Sequence, residues 1–253
     1  MNDLFFKPRI GKNSERRLIL LATAPCTHKK DCKYFTECTI KGRTAEFNSV
    51  CPFSDYSLDD EERKLRLDEN VDYIVEKHIQ DKYHECGEKR NRTLTKLTNA
   101  LGECFLSKRP IGEKEKRAVW DNVMVTELSQ HFIPYGVGRS GSVTLRSDFL
   151  ITNDYCAFKE LIDKYNLSKI LILGTPSWQF LKNRMENDDE VVLKHECKSN
   201  GSPDPNGYIH YLDFNSHKIT LIYAWHPSYS RFYDNGRLIK ILQDYFLLNN
   251  PVT

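Results

Sequence analysis

The sequence predicts an α/β fold of three layers, α/β/α, with a mainly parallel central sheet. Three observations predict it. Four apolar runs, Arg17–Ala22, Asn122–Leu128, Lys169–Gly174 and Ile219–Trp225, have the length of strands and the continuous apolar character of strands covered on both faces. Helical patterns separate the runs, as parallel pairing through crossovers requires. The chain has 253 residues, 40% of them hydrophobic, enough for a substantial core.

The remaining elements follow in order. Asp59 to about Lys89 is charged and periodic, with Val71, Ile74, Val75 and Ile79 on one face, and predicts a long helix. Thr93–Phe105 continues as a second helix. Asp154–Tyr165 places Phe158, Leu161 and Ile162 on an apolar face, and Thr175–Asn183 carries Pro176 at an early helical position. Tyr208–Phe214 is expected to pair with Ile219–Trp225 through a turn at Asn215–Lys218. Gly236–Leu248 closes the chain as a helix, and Gly136–Gly141 and Ser199–Gly207 read as loops. No repeat or low-complexity linker divides the sequence, so residues 1–253 are expected to form a single domain.

Net charge is only +2, which excludes a global field drawing the chain to nucleic acid. Cations are clustered in the first half, at Lys29/Lys30/Lys33, Lys89/Arg90/Arg92, Lys108/Arg109 and Lys114/Lys116/Arg117. Such clusters either make a local phosphate-binding face or a solvated surface. Met1–Asn13 does not read as a secretory leader, and no apolar stretch reaches membrane-spanning length. A cytoplasmic protein with no membrane partner is expected, in which the eight cysteines stay reduced.

Three strand ends carry unusual chemistry. The first runs into Thr23-Ala24-Pro25-Cys26-Thr27-His28, the second through Glu127 into Gln130-His131-Phe132, and the last into His226-Pro227-Ser228. Ligands of open α/β sheets sit outside the carboxyl ends of the strands, so topology should gather these three.

In these motifs the sequence resembles the uracil-DNA glycosylase superfamily. Phe158–Leu181 resembles its helix, Ile-Leu-Ile-Leu-Gly strand and following helix, and Ile219–Ser228 its strand ending in a His-Pro-Ser loop. Ala22–Cys26 is similar to its first motif, and Val123–Pro134 to the strand that reads the base. The resemblance spans most of the chain except an inserted helical region at about 57–115. It implies a monofunctional DNA glycosylase with a uracil-DNA-glycosylase-like fold. Such an enzyme flips a nucleotide out of the duplex and hydrolyses its glycosidic bond with water, leaving an abasic site. DNA is then the partner of a chain expected to be a monomer, with no nucleotide cofactor and none required for the chemistry. The catalytic residues implied are His226, donating to the leaving base, and Glu127, reading it. Thr23, Ala24, Pro25, Ser228, Tyr229 and Arg231 would line or wedge the substrate, and Phe53, in Cys51-Pro52-Phe53-Ser54, would stack on the flipped base.

Two departures from the family pattern sharpen the expectation. Thr23 and Ala24 stand where many members carry a carboxylate or carboxamide that positions water. Asp31, Glu37, Asp55 and Glu127 are the candidates for that task, and an inactive DNA-binding member is the alternative. Glu127 stands where the superfamily commonly has Asn. A carboxylate only accepts hydrogen bonds, so it suits the exocyclic amine of cytosine and repels O4 of uracil. A salt bridge to a nearby Arg or Lys is the competing role for Glu127. A cytosine reader must demand a modification to spare its host. Excision of a modified cytosine, such as the glucosylated 5-hydroxymethylcytosine of phage DNA in antiviral defence, is therefore expected before uracil repair. Trp225, Tyr229, Phe232 and Tyr233 offer aromatic surface for it.

Cys26, Cys32, Cys38 and Cys51 fall in one segment spaced C-x5-C-x5-C-x12-C. Four thiolates suit a structural zinc better than an iron–sulfur cluster here, with separate reduced thiols as the alternative. A metal-dependent nucleic-acid enzyme built on these cysteines is a third functional class.

Overall fold

The computed structural model describes residues 8–21, 26–27, 71–81, 92–128, 133–134, 150, 152–196, 209–227 and 236–247. The strands in chain order are β1 (Arg9–Ile10), β2 (Arg17–Leu21), β3 (Cys26–Thr27), β4 (Met124–Glu127), β5 (Ile133–Pro134), β6 (Lys169–Leu173), β7 (Val191–Glu196), β8 (Ile209–Phe214) and β9 (His217–Ala224). The helices are α1 (Val71–Ile79), α2 (Arg92–Leu106), α3 (Glu113–Trp120), α4 (Thr152–Tyr165), α5 (Thr175–Glu186) and α6 (Arg237–Leu247).

The four apolar runs become β2, β4, β6 and β9, the centre of a seven-stranded sheet of order β1-β4-β2-β6-β9-β8-β7. All pairings among the central four are parallel. The flanking strands β1, β8 and β7 add on antiparallel. β8 and β9 form the expected hairpin, with Phe214 opposite His217. Its two turn residues, Asn215 and Ser216, both have positive φ, 46° and 66°, which matches the right-handed twist of the strands they join.

Side-chain alternation splits the core into two layers. Phe158, Leu161 and Ile162 of α4, with Trp178, Phe180 and Leu181 of α5, pack on Leu18, Leu20, Met124, Ile170, Ile172 and Tyr223. α1, α2, α3 and α6 cover the other face, burying Val75, Leu97, Trp120 and Leu242 against Ile19, Leu21, Val125, Leu171, Leu173 and Ala224. The sequence expectation of a three-layer α/β arrangement with a parallel centre therefore holds.

Polar fastenings hold the second layer in place. Thr98 Oγ1 accepts from Trp120 Nε1 at 3.0 Å and lies 2.9 Å from His78 Nε2, so one hydroxyl joins α1, α2 and α3. Tyr245 of α6 extends its hydroxyl to the carbonyl of Leu18 at 3.0 Å, and its burial pushes the phenol well above its ordinary pKa. Arg9, buried beside β4, donates to Trp120 O at 2.8 Å and pairs with Glu76 at 3.3 Å.

Three features depart from expectation. The helix predicted from Asp59 to about Lys89 does not run through: α1 ends at Ile79, and Asp81 turns left-handed at φ 57°. The charged segment Glu113–Trp120 is a helix, α3, rather than only a basic cluster. Val191–Glu196 adds a strand, β7, beyond the hairpin.

Candidate functional site

The register of the sheet places four strand ends in one row. Leu21 pairs with Glu127 on one side and with Leu173 on the other, and Leu173 pairs with Ala224. The first and third of the central strands, β2 and β6, are neighbours, with the second outside one and the fourth outside the other. Chain direction across the sheet reverses between β2 and β6, and the crevice at the carboxyl end of such a point is where open α/β sheets take ligands.

Glu127 closes β4 at this edge and is only 5% exposed. It shares a face with Val125, and so belongs to the side covered by α1, α2, α3 and α6. His226 follows β9 by two residues. Its approach is fixed on three sides. Gly174 donates its backbone N–H to Ala224 O at 2.8 Å, joining the ends of β6 and β9. Gly174 has φ 121° and ψ 136°, a conformation that favours glycine. Trp225 packs against both core layers, and Pro227 is buried. Behind the strand, Tyr223 shares a 2.8 Å hydrogen bond with Thr175 Oγ1 at the start of α5. Trp178 stacks on Tyr223, with ring centroids 5.7 Å apart.

The electrostatics of His226 are distinctive. Burial first, and then the positive charge of Lys96 on α2, lower its pKa to about 4. The imidazole is therefore neutral at neutral pH, with one N–H to donate and one lone pair to accept. Lys96 was not among the residues the sequence singled out. It is a half-buried residue of α2, and nothing in its local pattern connects it with a histidine far along the chain.

Glu127 and His226 are not on neighbouring strands. Two strands, β2 and β6, stand between β4 and β9. Three inter-strand steps separate the strands' backbones by about 14 Å, so the two residues follow strands at opposite ends of the row of strand ends.

The other predicted residues are distributed unevenly. Thr23, Ala24, Pro25, Phe53, Ser228, Tyr229 and Arg231 lie outside the described residues, as do Cys32, Cys38 and Cys51. Cys26 lies in β3, pairing with Ile133 of β5 in a separate two-stranded sheet. No group of three or more His, Cys, Asp or Glu side chains among the described residues is placed to hold a metal ion. No described helix is long and apolar enough to cross a membrane. Comparison with known proteins finds no matching family model, no matching curated protein and no matching solved structure.

Proposed function

We propose that the chain is a DNA glycosylase that excises a modified cytosine, with the flipped base held at the carboxyl edge between Glu127 and His226. The observation that carries the reading is the placement of these two side chains at either end of the crevice, one a buried carboxyl and the other a histidine kept neutral. The likeness of the strand-end motifs to the uracil-DNA glycosylase superfamily supports it, as does the parallel order of the four strands that carry them.

Each residue has a separate task in this reading. Breaking the C1′–N1 bond sends its electron pair onto the base, and the negative charge reaches the ring oxygen. A neutral His226 donates its N–H to that oxygen and stabilises the charge without surrendering its own proton. Glu127 accepts from the exocyclic amine at the far edge of the ring, which selects cytosine over uracil. The separation of about 14 Å between the strand backbones leaves room for a pyrimidine and the two side chains reaching toward it. Water attacks C1′, and no lysine adduct is required.

The test is base release. Duplex DNA carrying uracil, cytosine, 5-hydroxymethylcytosine or its glucosylated form is incubated with the full chain, and free base and abasic sites are measured. Release of a modified cytosine is the expected result. Release of uracil alone would remove the assigned role of Glu127. DNA binding without any release would favour an inactive DNA-binding member, the reading suggested by Thr23 and Ala24.

A further inference from the structure

We propose that Tyr223 is a positioning residue for His226, held at its hydroxyl by Thr175 and at its ring by Trp178 so that the imidazole stands in one place beside the row of strand ends. The proposal rests on the glycosylase reading and deepens it.

One face of α5 grips Tyr223 twice. Thr175 and Trp178 stand three residues apart in that helix and are neighbours on its surface. Thr175 Oγ1 lies 2.8 Å from the Tyr223 hydroxyl. The Trp178 and Tyr223 rings are 5.7 Å apart, with their planes only 17° from parallel. Trp178 also meets His210 of β8, with centroids 4.3 Å apart, so a second strand braces the indole. Both Tyr223 and Trp178 are buried. The helix start is itself stiff, because Pro176 falls in its first turn and Trp178 donates its backbone N–H to Gly174 O at 3.2 Å.

The grip lies at the last paired residues before His226. Tyr223 pairs with Ile172 and Ala224 with Leu173, and β9 ends at Ala224. The bond from Gly174 N–H to Ala224 O ties the same two chain segments through the backbone. Residues 174–175 and 223–224 are thus joined by one backbone bond and one side-chain bond. A single bond would fix a distance and leave the strand end free to twist about it. The second bond, displaced along the chain, removes that freedom, and His226 follows only two residues later.

The chemistry needs this restraint. A hydrogen bond aimed at the charge developing on the base works only from a preorganised position. A misplacement of about 1 Å can cost about 100-fold in rate. Tyr223 exchanges no proton with the substrate in this role and acts only through the placement of His226.

The experiment compares Tyr223→Phe, Thr175→Val, Thr175→Ser and the double variant Tyr223→Phe/Thr175→Val with the unmodified full chain. It reads single-turnover base release at saturating protein, DNA affinity and the His226 imidazole resonances by NMR. Tyr223→Phe and Thr175→Val are each expected to slow saturated release about 10-fold with DNA affinity nearly unchanged, and to move the His226 resonances. The double variant should be no slower than either single one, because both remove the same bond. Thr175→Ser keeps the hydroxyl and should retain most of the rate and the original resonances. Effects that multiply in the double variant would overturn the shared bond as their cause. Unmoved His226 resonances in Tyr223→Phe and Thr175→Val would overturn the positioning role. Weakened DNA binding with an unchanged saturated rate in Thr175→Val would overturn it in favour of a direct DNA contact. If the unmodified chain releases no base from any of the four substrates, the glycosylase reading falls and takes the catalytic purpose of the grip with it. The NMR resonances still decide whether the bond places the imidazole.

Discussion

Gly174 and Ala224 are joined by a backbone hydrogen bond of 2.8 Å, the last link between β6 and β9 before the chain turns out to Trp225 and His226. The bond exists because Gly174 adopts φ 121°, which carries its N–H across to the neighbouring strand end while starting α5. Replacing it with alanine forces a side chain into a conformation L-residues rarely adopt, at about 1–3 kcal/mol. Gly174→Ala should lower the urea midpoint accordingly and broaden or shift the His226 imidazole resonances in the same sample.

The depressed pKa of His226 makes stability depend on acidity in a defined window. In the unfolded chain the imidazole protonates near its ordinary value of about 6.5. In the folded chain it stays neutral down to about 4. Below about pH 6.5 the unfolded state therefore binds more protons, and folding stability falls as pH drops toward 4, by up to about 3 kcal/mol. His226→Asn cannot titrate and should lose that part of the slope. Urea unfolding of both chains between pH 7 and pH 4 measures it, and parallel slopes would contradict the burial assigned to the ring.

Thr98 ties three helices through one hydroxyl. Thr98→Val keeps the shape and removes the acceptor used by Trp120 Nε1. Leaving that buried N–H unsatisfied should cost about 1–3 kcal/mol. Tryptophan fluorescence during denaturation follows the loss, and hydrogen exchange should locate the loosening in α1, α2 and α3.

Glu127→Gln tests substrate choice apart from catalysis. The amide gains two donors where the carboxylate had none. The ratio of cytosine-type to uracil release should fall about 10-fold or more, because the uracil O4 then finds a donor in place of an opposing acceptor. An unchanged ratio in a competitive assay would assign Glu127 to a structural ion pair instead.

The central strands were legible because burial on both faces leaves a signature that no solvent-exposed segment shares. Leu18–Leu21 and Ile170–Leu173 are buried without exception. Elements at the margins were not. In α3 only Val119 and Trp120 are buried, and the rest of Glu-Lys-Glu-Lys-Arg-Ala reads as charged surface. β1 is two residues long and takes its strand character from pairing with β4. Edge strand β7 exposes Val192 and Lys194, which removes the apolar continuity that marks its inner neighbours. For the site, the strand ends named Glu127 and His226. The sheet order, which the sequence does not encode locally, sets two strands between them. Lys96, whose positive charge adds to the lowering of the His226 pKa, escaped notice because that relation comes from tertiary packing, which local spacing does not encode.

The parallel centre also has a temporal consequence. Leu21, Glu127, Leu173 and Ala224 come from widely separated parts of the chain and meet only through parallel pairing. Parallel strands cannot form by local hairpins, and each crossover must close before the next strand finds its register. The row of strand ends thus depends on long-range closure rather than on local structure. A partly folded chain can acquire the β8–β9 hairpin by local pairing, whereas the row of strand ends requires the central parallel strands to be assembled.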